Sequence, residues 1–148
     1  MTTSTTPTDA PPPLWNPNAA ACWSLLFTPA FGAFLHARNA QSLGRPEEAK
    51  ANRIWFYVSL AYLVVVLISI FIPKIPDMIF RGAAVGILIG WYISLGKKQI
   101  RYVKDTRQKC YQRKGWSKPL AVGFGCLVGY LLLCVLLGIL ASAVFGIE

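Results

Sequence analysis

The sequence has few of the residues on which enzymes and cofactor sites depend. Only 14% of its 148 residues are charged, six are acidic, and one is a histidine. It contains no P-loop, HExxH or GxSxG motif. Glu47 and Glu48 are adjacent, so they do not share a helix face and cannot act as a paired acid and base. These absences argue against an enzyme.

Metal and disulfide chemistry also lack a signature. No CxxC motif or Cys/His cluster is formed by the four cysteines, Cys22, Cys110, Cys126 and Cys134. His36, the single histidine, lies beside Arg38 without a partner base, and we expect a solvated ring at a membrane interface. No cofactor or metal is expected. No Asp or Glu lies deep in an apolar segment, which lowers the case for ion-coupled transport.

Long apolar segments are what the sequence does contain. They cover residues 17–36, 54–73, 78–96 and 119–147, each long enough for a helix to cross a hydrocarbon core of about 30 Å. Residues 1–16 are rich in Thr and Pro, which predicts a disordered tail, and they lack the positive region of a signal peptide. The prediction is an all-α integral membrane bundle over residues 17–148 with four transmembrane helices.

The first segment is the least certain span. Asn16 is a good N-cap and Pro17 suits the first helical position, so a helix should begin there. Thr28 and Pro29 fall in the middle, where proline removes a backbone hydrogen bond. The segment either spans the membrane with a kink or enters and leaves on one side as a re-entrant helix.

The remaining connections are short. Pro46, followed by Glu47 and Glu48, predicts a helix that begins in water before the second span. Two prolines in the sequence PKIPD, residues 73–77, predict a reversal before the third span. Residues 98–114 are polar with loosely helical apolar spacing, which predicts a basic amphipathic helix on the cytoplasmic membrane surface.

Positive charge is concentrated between the third and fourth spans. Nine of the fifteen basic residues lie there: Lys97, Lys98, Arg101, Lys104, Arg107, Lys109, Arg113, Lys114 and Lys118. Because this stretch abuts apolar segments on both sides, contact with anionic lipid is favoured over nucleic acid. A second basic loop, residues 37–53, carries Arg38, Arg45, Lys50 and Arg53. The positive-inside rule places both basic loops in the cytoplasm and, with four spans, both termini outside. If residues 17–36 are re-entrant, only the N-terminal tail changes side.

Small residues recur at helical spacing in the last two spans. Such faces allow close helix packing, either within the chain or with another copy or partner. The residues are Gly82, Gly86 and Gly90 in the third span and Gly125, Gly129, Gly138, Ser142 and Gly146 in the fourth.

Two stretches, WSLLFTPAFGAFLHARNAQSLG (residues 23–44) and QIRYVKDTRQKCYQRKGWSKPL (residues 99–120), together resemble a loosely defined group of small bacterial multi-pass membrane proteins without assigned function. The two stretches together comprise 44 of the 148 residues. It implies a location in the bacterial inner membrane and supplies no active site.

Three hypotheses of function follow. The first is a non-enzymatic membrane protein that acts through helix packing and partner interaction, one form being an immunity protein against a pore-forming toxin. The second is a small oligomeric channel or transporter subunit lined by Gly82, Gly86 and Gly90. The third is a regulatory protein that responds to anionic lipid through its basic stretch.

Overall fold

The computed structural model describes residues 12–72, 76–107 and 111–145, which are helical apart from short connections. Several predicted features fall outside this description: tail residues 1–11, Lys109, Gly146 and the end of the fourth predicted span. The helices are α1 (Pro17–Phe27), α2 (Pro29–Ser42), α3 (Pro46–Ser69), α4 (Asp77–Trp91), a π-helical turn (Tyr92–Gly96), α5 (Lys97–Arg107) and α6 (Ser117–Phe145). The all-α class is confirmed for the described part of the chain.

Three helices are long and apolar enough to cross a membrane: Pro46–Ser69, Met78–Thr106 and Ser117–Val144. Their apolar side chains are largely exposed; Met78 is 81% exposed and Val144 72%. Continuous apolar surface of this kind is unfavourable in water and favourable in lipid. The three helices fit a membrane protein, while the predicted count of four spans is not confirmed.

The first predicted span is two helices. Helix α1 begins at Pro17, where the Asn16 side chain accepts hydrogen bonds from the backbone N–H groups of Asn18 and Ala19, as predicted. It ends at Phe27, and α2 begins at Pro29 after Thr28, which has φ 94° and ψ 158°. With 11 and 14 residues, the two helices are about 17 and 21 Å long, so neither reaches across about 30 Å of hydrocarbon.

Helices α1 and α2 fold back on each other as a helical hairpin (residues 17–42). The His36 side chain, near the end of α2, lies 3.0 Å from the carbonyl oxygen of Pro17, the first residue of α1. Asn39 and Trp15 exchange two hydrogen bonds, at 3.1 and 2.7 Å. These contacts bring both ends of residues 17–36 together, and the hairpin packs mainly against α3.

The third span and the basic helix form one continuous helical rod. The sequence predicts a break between them near residue 97, but α4 passes through the π-helical turn directly into α5. At the start of this turn Trp91 is fully buried and packs with Ala21 and Ala33 of the hairpin. The protein's core therefore lies at the end of the bundle where the hairpin, α3 and the rod meet.

Candidate functional site: an apolar cleft beside the hairpin

The chain before the hairpin, residues 12–16, forms an N-terminal strap. Leu14 is buried and pairs with the segment before α6: its N–H donates to the carbonyl of Gln112 at 3.0 Å, and its carbonyl accepts from the N–H of Lys114 at 2.9 Å. The Trp15 indole N–H donates to the carbonyl of Gly115 at 3.1 Å. These five residues belong to the predicted tail, and the strap lies against the predicted basic stretch.

Lys114 extends over the strap. Its ammonium nitrogen lies 4.4 Å from the centre of the Trp15 ring. An ammonium in this position is attracted by the negative face of the indole ring. The contact therefore holds a positive charge beside Trp15, on the same side of the protein as α5.

Buried amides and an indole join the hairpin, α3 and the rod. The Trp91 indole N–H donates to the Asn52 side-chain oxygen at 3.0 Å, and the Gln99 amide donates to the carbonyl of His36 at 2.9 Å. All four residues are at least 98% buried. Polar groups buried to this extent are costly unless they are hydrogen-bonded, so these bonds specify how the three elements dock.

His36 departs most from its sequence interpretation. Its ring is fully buried, 5.1 Å from the Trp91 ring centre in an edge-on arrangement, and is not solvated. Because the Pro17 carbonyl can only accept, His36 Nε2 donates in the 3.0 Å hydrogen bond. Burial lowers the pKa of His36 from 6.5 to about 4, so the ring is neutral near pH 7. The correction follows from the fold-back of α2 onto α1, which covers the ring.

A cleft of about 520 Å³ lies between the hairpin, α3 and α6, and we call it the hairpin cleft. Its surface is almost entirely apolar, with Lys118 at one end and Tyr130 on the same wall. The Tyr130 hydroxyl donates to the carbonyl of Leu63 at 3.2 Å. The principal lining side chains are Phe27, Phe31, Phe56, Leu60, Val122 and Cys126. A cleft of this size is in the range that binds small molecules, roughly 300–1,000 Å³.

No family model, curated protein or solved structure matches this chain. Function therefore has to be argued from the cleft and the surfaces around it. Within residues 12–72, 76–107 and 111–145, no three His, Cys, Asp or Glu side chains lie close enough to hold a metal ion.

The predicted basic residues divide into two groups. The first lies on α5, where Lys97, Lys98, Arg101 and Lys104 are exposed while Gln99 and Val103 are buried on the opposite side. The second lies before and at the start of α6. Arg113 pairs with Leu14 through the backbone, Lys114 lies over Trp15, and Lys118 lines the cleft. The side chain of Arg107 and all of Lys109 fall outside the description.

The predicted small-residue faces are mostly uncovered. At Gly82, Gly86, Gly125, Gly129 and Gly138, an added Cβ would meet no described atom within 4 Å. Gly90 is different, because a Cβ there would lie 3.0 Å from the Trp55 ring. Ser142 is exposed. The described part of the chain therefore brings Gly90 into a packed contact and leaves the other described members of the set open.

Three tightly packed glycines are absent from the predicted set. A Cβ on Gly32 would lie 2.0 Å from the Ser24 hydroxyl and 2.5 Å from the Trp91 ring, and a Cβ on Gly123 would lie 3.0 Å from the Phe31 ring. Gly96 packs in the same way against Tyr92. Spacing gave no signal for these isolated glycines. One signal was readable for the cleft: Lys118, Val122, Cys126 and Tyr130 recur at steps of four along α6, which places them on one helix face.

Proposed function

We propose that the chain is a non-enzymatic integral membrane protein that responds to anionic lipid through a basic surface on its cytoplasmic side. In this arrangement α3, the α4–α5 rod and α6 cross the bacterial inner membrane. The hairpin enters and leaves the membrane on the side of α5, which is the re-entrant alternative given for residues 17–36. Because the strap pairs with residues 112–115, the proposed arrangement has the strap in the cytoplasm, whereas the four-span prediction has the N-terminal tail outside.

The observation that carries the lipid proposal is the continuity of the rod. Helix α5 follows the apolar part of the rod without a break, so its basic residues begin where the apolar surface ends. Gln99 and Val103 hold its inner face against the protein, while the exposed face carries Lys97, Arg101 and Lys104. Each basic residue held at an anionic surface contributes about 1 kcal/mol.

The test measures lipid preference in reconstituted protein. Variants with Lys98, Arg101 and Lys104 all changed to Gln are compared with a Thr106→Gln control, which alters an exposed position of the same helix without changing its charge. In nanodiscs with mixed lipids, the triple variant should lose much of its enrichment for phosphatidylglycerol over phosphatidylcholine. Equal enrichment in the triple variant and the control would contradict the proposal.

A second candidate, association through α4, is favoured by the open Gly82 and Gly86. Open glycines let another helix approach closely in a membrane. The particle mass in detergent, with the detergent contribution subtracted, tests this. A defined oligomer should be lost in Gly86→Leu and kept in Ala83→Leu, which alters a neighbouring exposed position of α4. A monomeric wild-type protein would contradict it. The pore and toxin-immunity forms of partner interaction stay predictions, since no described contact bears on them.

A further inference from the structure

The length and position of the hairpin cleft match one leaflet of a bilayer. Its α6 wall runs from Lys118, near the start of the helix, to Tyr130. Twelve residues of helix at about 1.5 Å each give a depth of about 18 Å, close to half of a hydrocarbon core of about 30 Å. The cleft therefore extends from the headgroup level, where α6 enters the membrane, to near its midplane.

The walls of the cleft select hydrocarbon over water. Phenylalanine and aliphatic side chains supply most of the surface, and a buried water needs two to four polar partners, which these walls do not offer. Along the cleft, helix α6 contacts the neighbouring helices through the Tyr130–Leu63 hydrogen bond and the packing of Gly123 against Phe27 and Phe31. A flexible apolar chain would fill the space between these two points.

The mouth of the cleft carries positive charge. Lys118 and Trp15 both line the cleft, and the Lys114 ammonium group lies over the Trp15 ring. No lining residue is acidic. A lipid whose acyl chain occupied the cleft would place its headgroup beside these two lysines, and a negatively charged headgroup complements them.

We infer that the hairpin cleft binds one acyl chain of an anionic phospholipid whose headgroup contacts Lys118 and Lys114. This deepens the proposed function, on which it rests for the placement of α6 in the membrane. It differs in kind from the surface preference of α5, since it predicts a single bound lipid that remains after annular lipid has been removed.

The experiment is native mass spectrometry of delipidated protein to which phosphatidylglycerol or phosphatidylcholine is added. We expect one retained phosphatidylglycerol per chain. Val122→Trp, which fills the cleft, should abolish its retention, whereas Val135→Trp should not, because Val135 is equally exposed on α6 but does not line the cleft. Lys118→Gln should weaken retention about fivefold, the effect of one lysine contact. Lys50→Gln, at an exposed position of α3 that does not line the cleft, should leave it unchanged.

A second measurement tests the inference without Val122→Trp, in case that variant does not fold. Cys126 lines the cleft and is exposed. In a variant that keeps only this cysteine, phosphatidylglycerol should slow its alkylation and phosphatidylcholine should not.

Equal retention in Val122→Trp and Val135→Trp, or equal alkylation with both lipids, would overturn the inference while leaving the α5 proposal standing. A wild-type dimer that retains no lipid and separates in Val122→Trp would also overturn it, with a second copy of the chain as occupant. Equal phosphatidylglycerol enrichment in the α5 triple variant and in Thr106→Gln, with the single retained lipid intact, would instead overturn the α5 proposal alone.

Discussion

At the scale of single residues, the His36 ring is fully buried, and this burial changes its protonation. Burial lowers its pKa from 6.5 to about 4. The unfolded chain therefore takes up a proton below about pH 6.5 that the folded protein excludes until about pH 4. The stability that depends on neutral His36 is complete above this window and decreases as the pH falls through it.

We therefore predict that the free energy of unfolding decreases by up to about 3 kcal/mol between pH 6.5 and pH 4. Thermal melting in detergent across this range measures it. His36→Gln, which cannot titrate, should remove most of this slope while carboxylate titration remains in both proteins. Parallel pH profiles for the wild-type protein and His36→Gln would refute the assignment.

Sequence reasoning at this scale succeeded where the physics is local. The Asn16 cap and the first-turn positions of Pro17 and Pro46 depend on neighbouring residues alone, and all three are confirmed. His36 and Gln99 were misjudged or missed, because their burial depends on a carbonyl and a helix that are distant in sequence.

At the scale of the elements, the hairpin is what the sequence could not resolve. A Thr-Pro pair interrupts a helix whether the chain kinks or reverses, and hydropathy is the same in both cases. The reversal rests on long-range contacts, such as those of Trp15 with Asn39 and of Gly32 with Trp91. The continuous rod was missed for a similar reason: the change from apolar to basic residues near residue 97 predicts a separate surface helix, while the helix continues through the turn beside the buried Trp91.

The close packing of the hairpin gives a prediction for two glycines. Gly32→Ala should destabilise the protein by about 1–3 kcal/mol, the usual effect of overpacking a filled core, because the added methyl would overlap Ser24 and the buried Trp91. Gly86→Ala, the same change at an open position, should be neutral or slightly stabilising through its higher helix propensity. Melting temperatures of the two variants in one detergent test this, and equal values would contradict the packing described.

At the scale of the whole molecule, the polar and buried groups gather at one end of three apolar helices. The hairpin, the strap and α5 form that end, and the end of α3 and the start of α4 lie at the other. The sequence predicted three of these long apolar helices, and the structure confirms them. The side of the membrane on which the N-terminal tail lies stays a prediction, because it depends on whether residues 17–36 span the membrane or re-enter it.

This arrangement predicts which engineered cysteines share a compartment. In a background without native cysteines, Pro13→Cys in the strap should react with an impermeant maleimide in inverted vesicles but not in intact spheroplasts. Pro76→Cys, the same substitution at the start of α4, should show the reverse pattern. Both positions are exposed. Reaction of Pro13→Cys in intact spheroplasts would contradict this arrangement and support the four-span topology.

The bond between Trp15 and Gly115 also sets an order of events during synthesis. These residues are 100 positions apart, so at roughly 5–20 residues per second the ribosome makes Gly115 about 5–20 s after Trp15. Throughout that interval α3 and the rod are being made while the Trp15 indole N–H lacks its acceptor, although the Trp15 backbone can already pair with Asn39. The strap can therefore pair with residues 112–115 only when the segment before the last helix has been made.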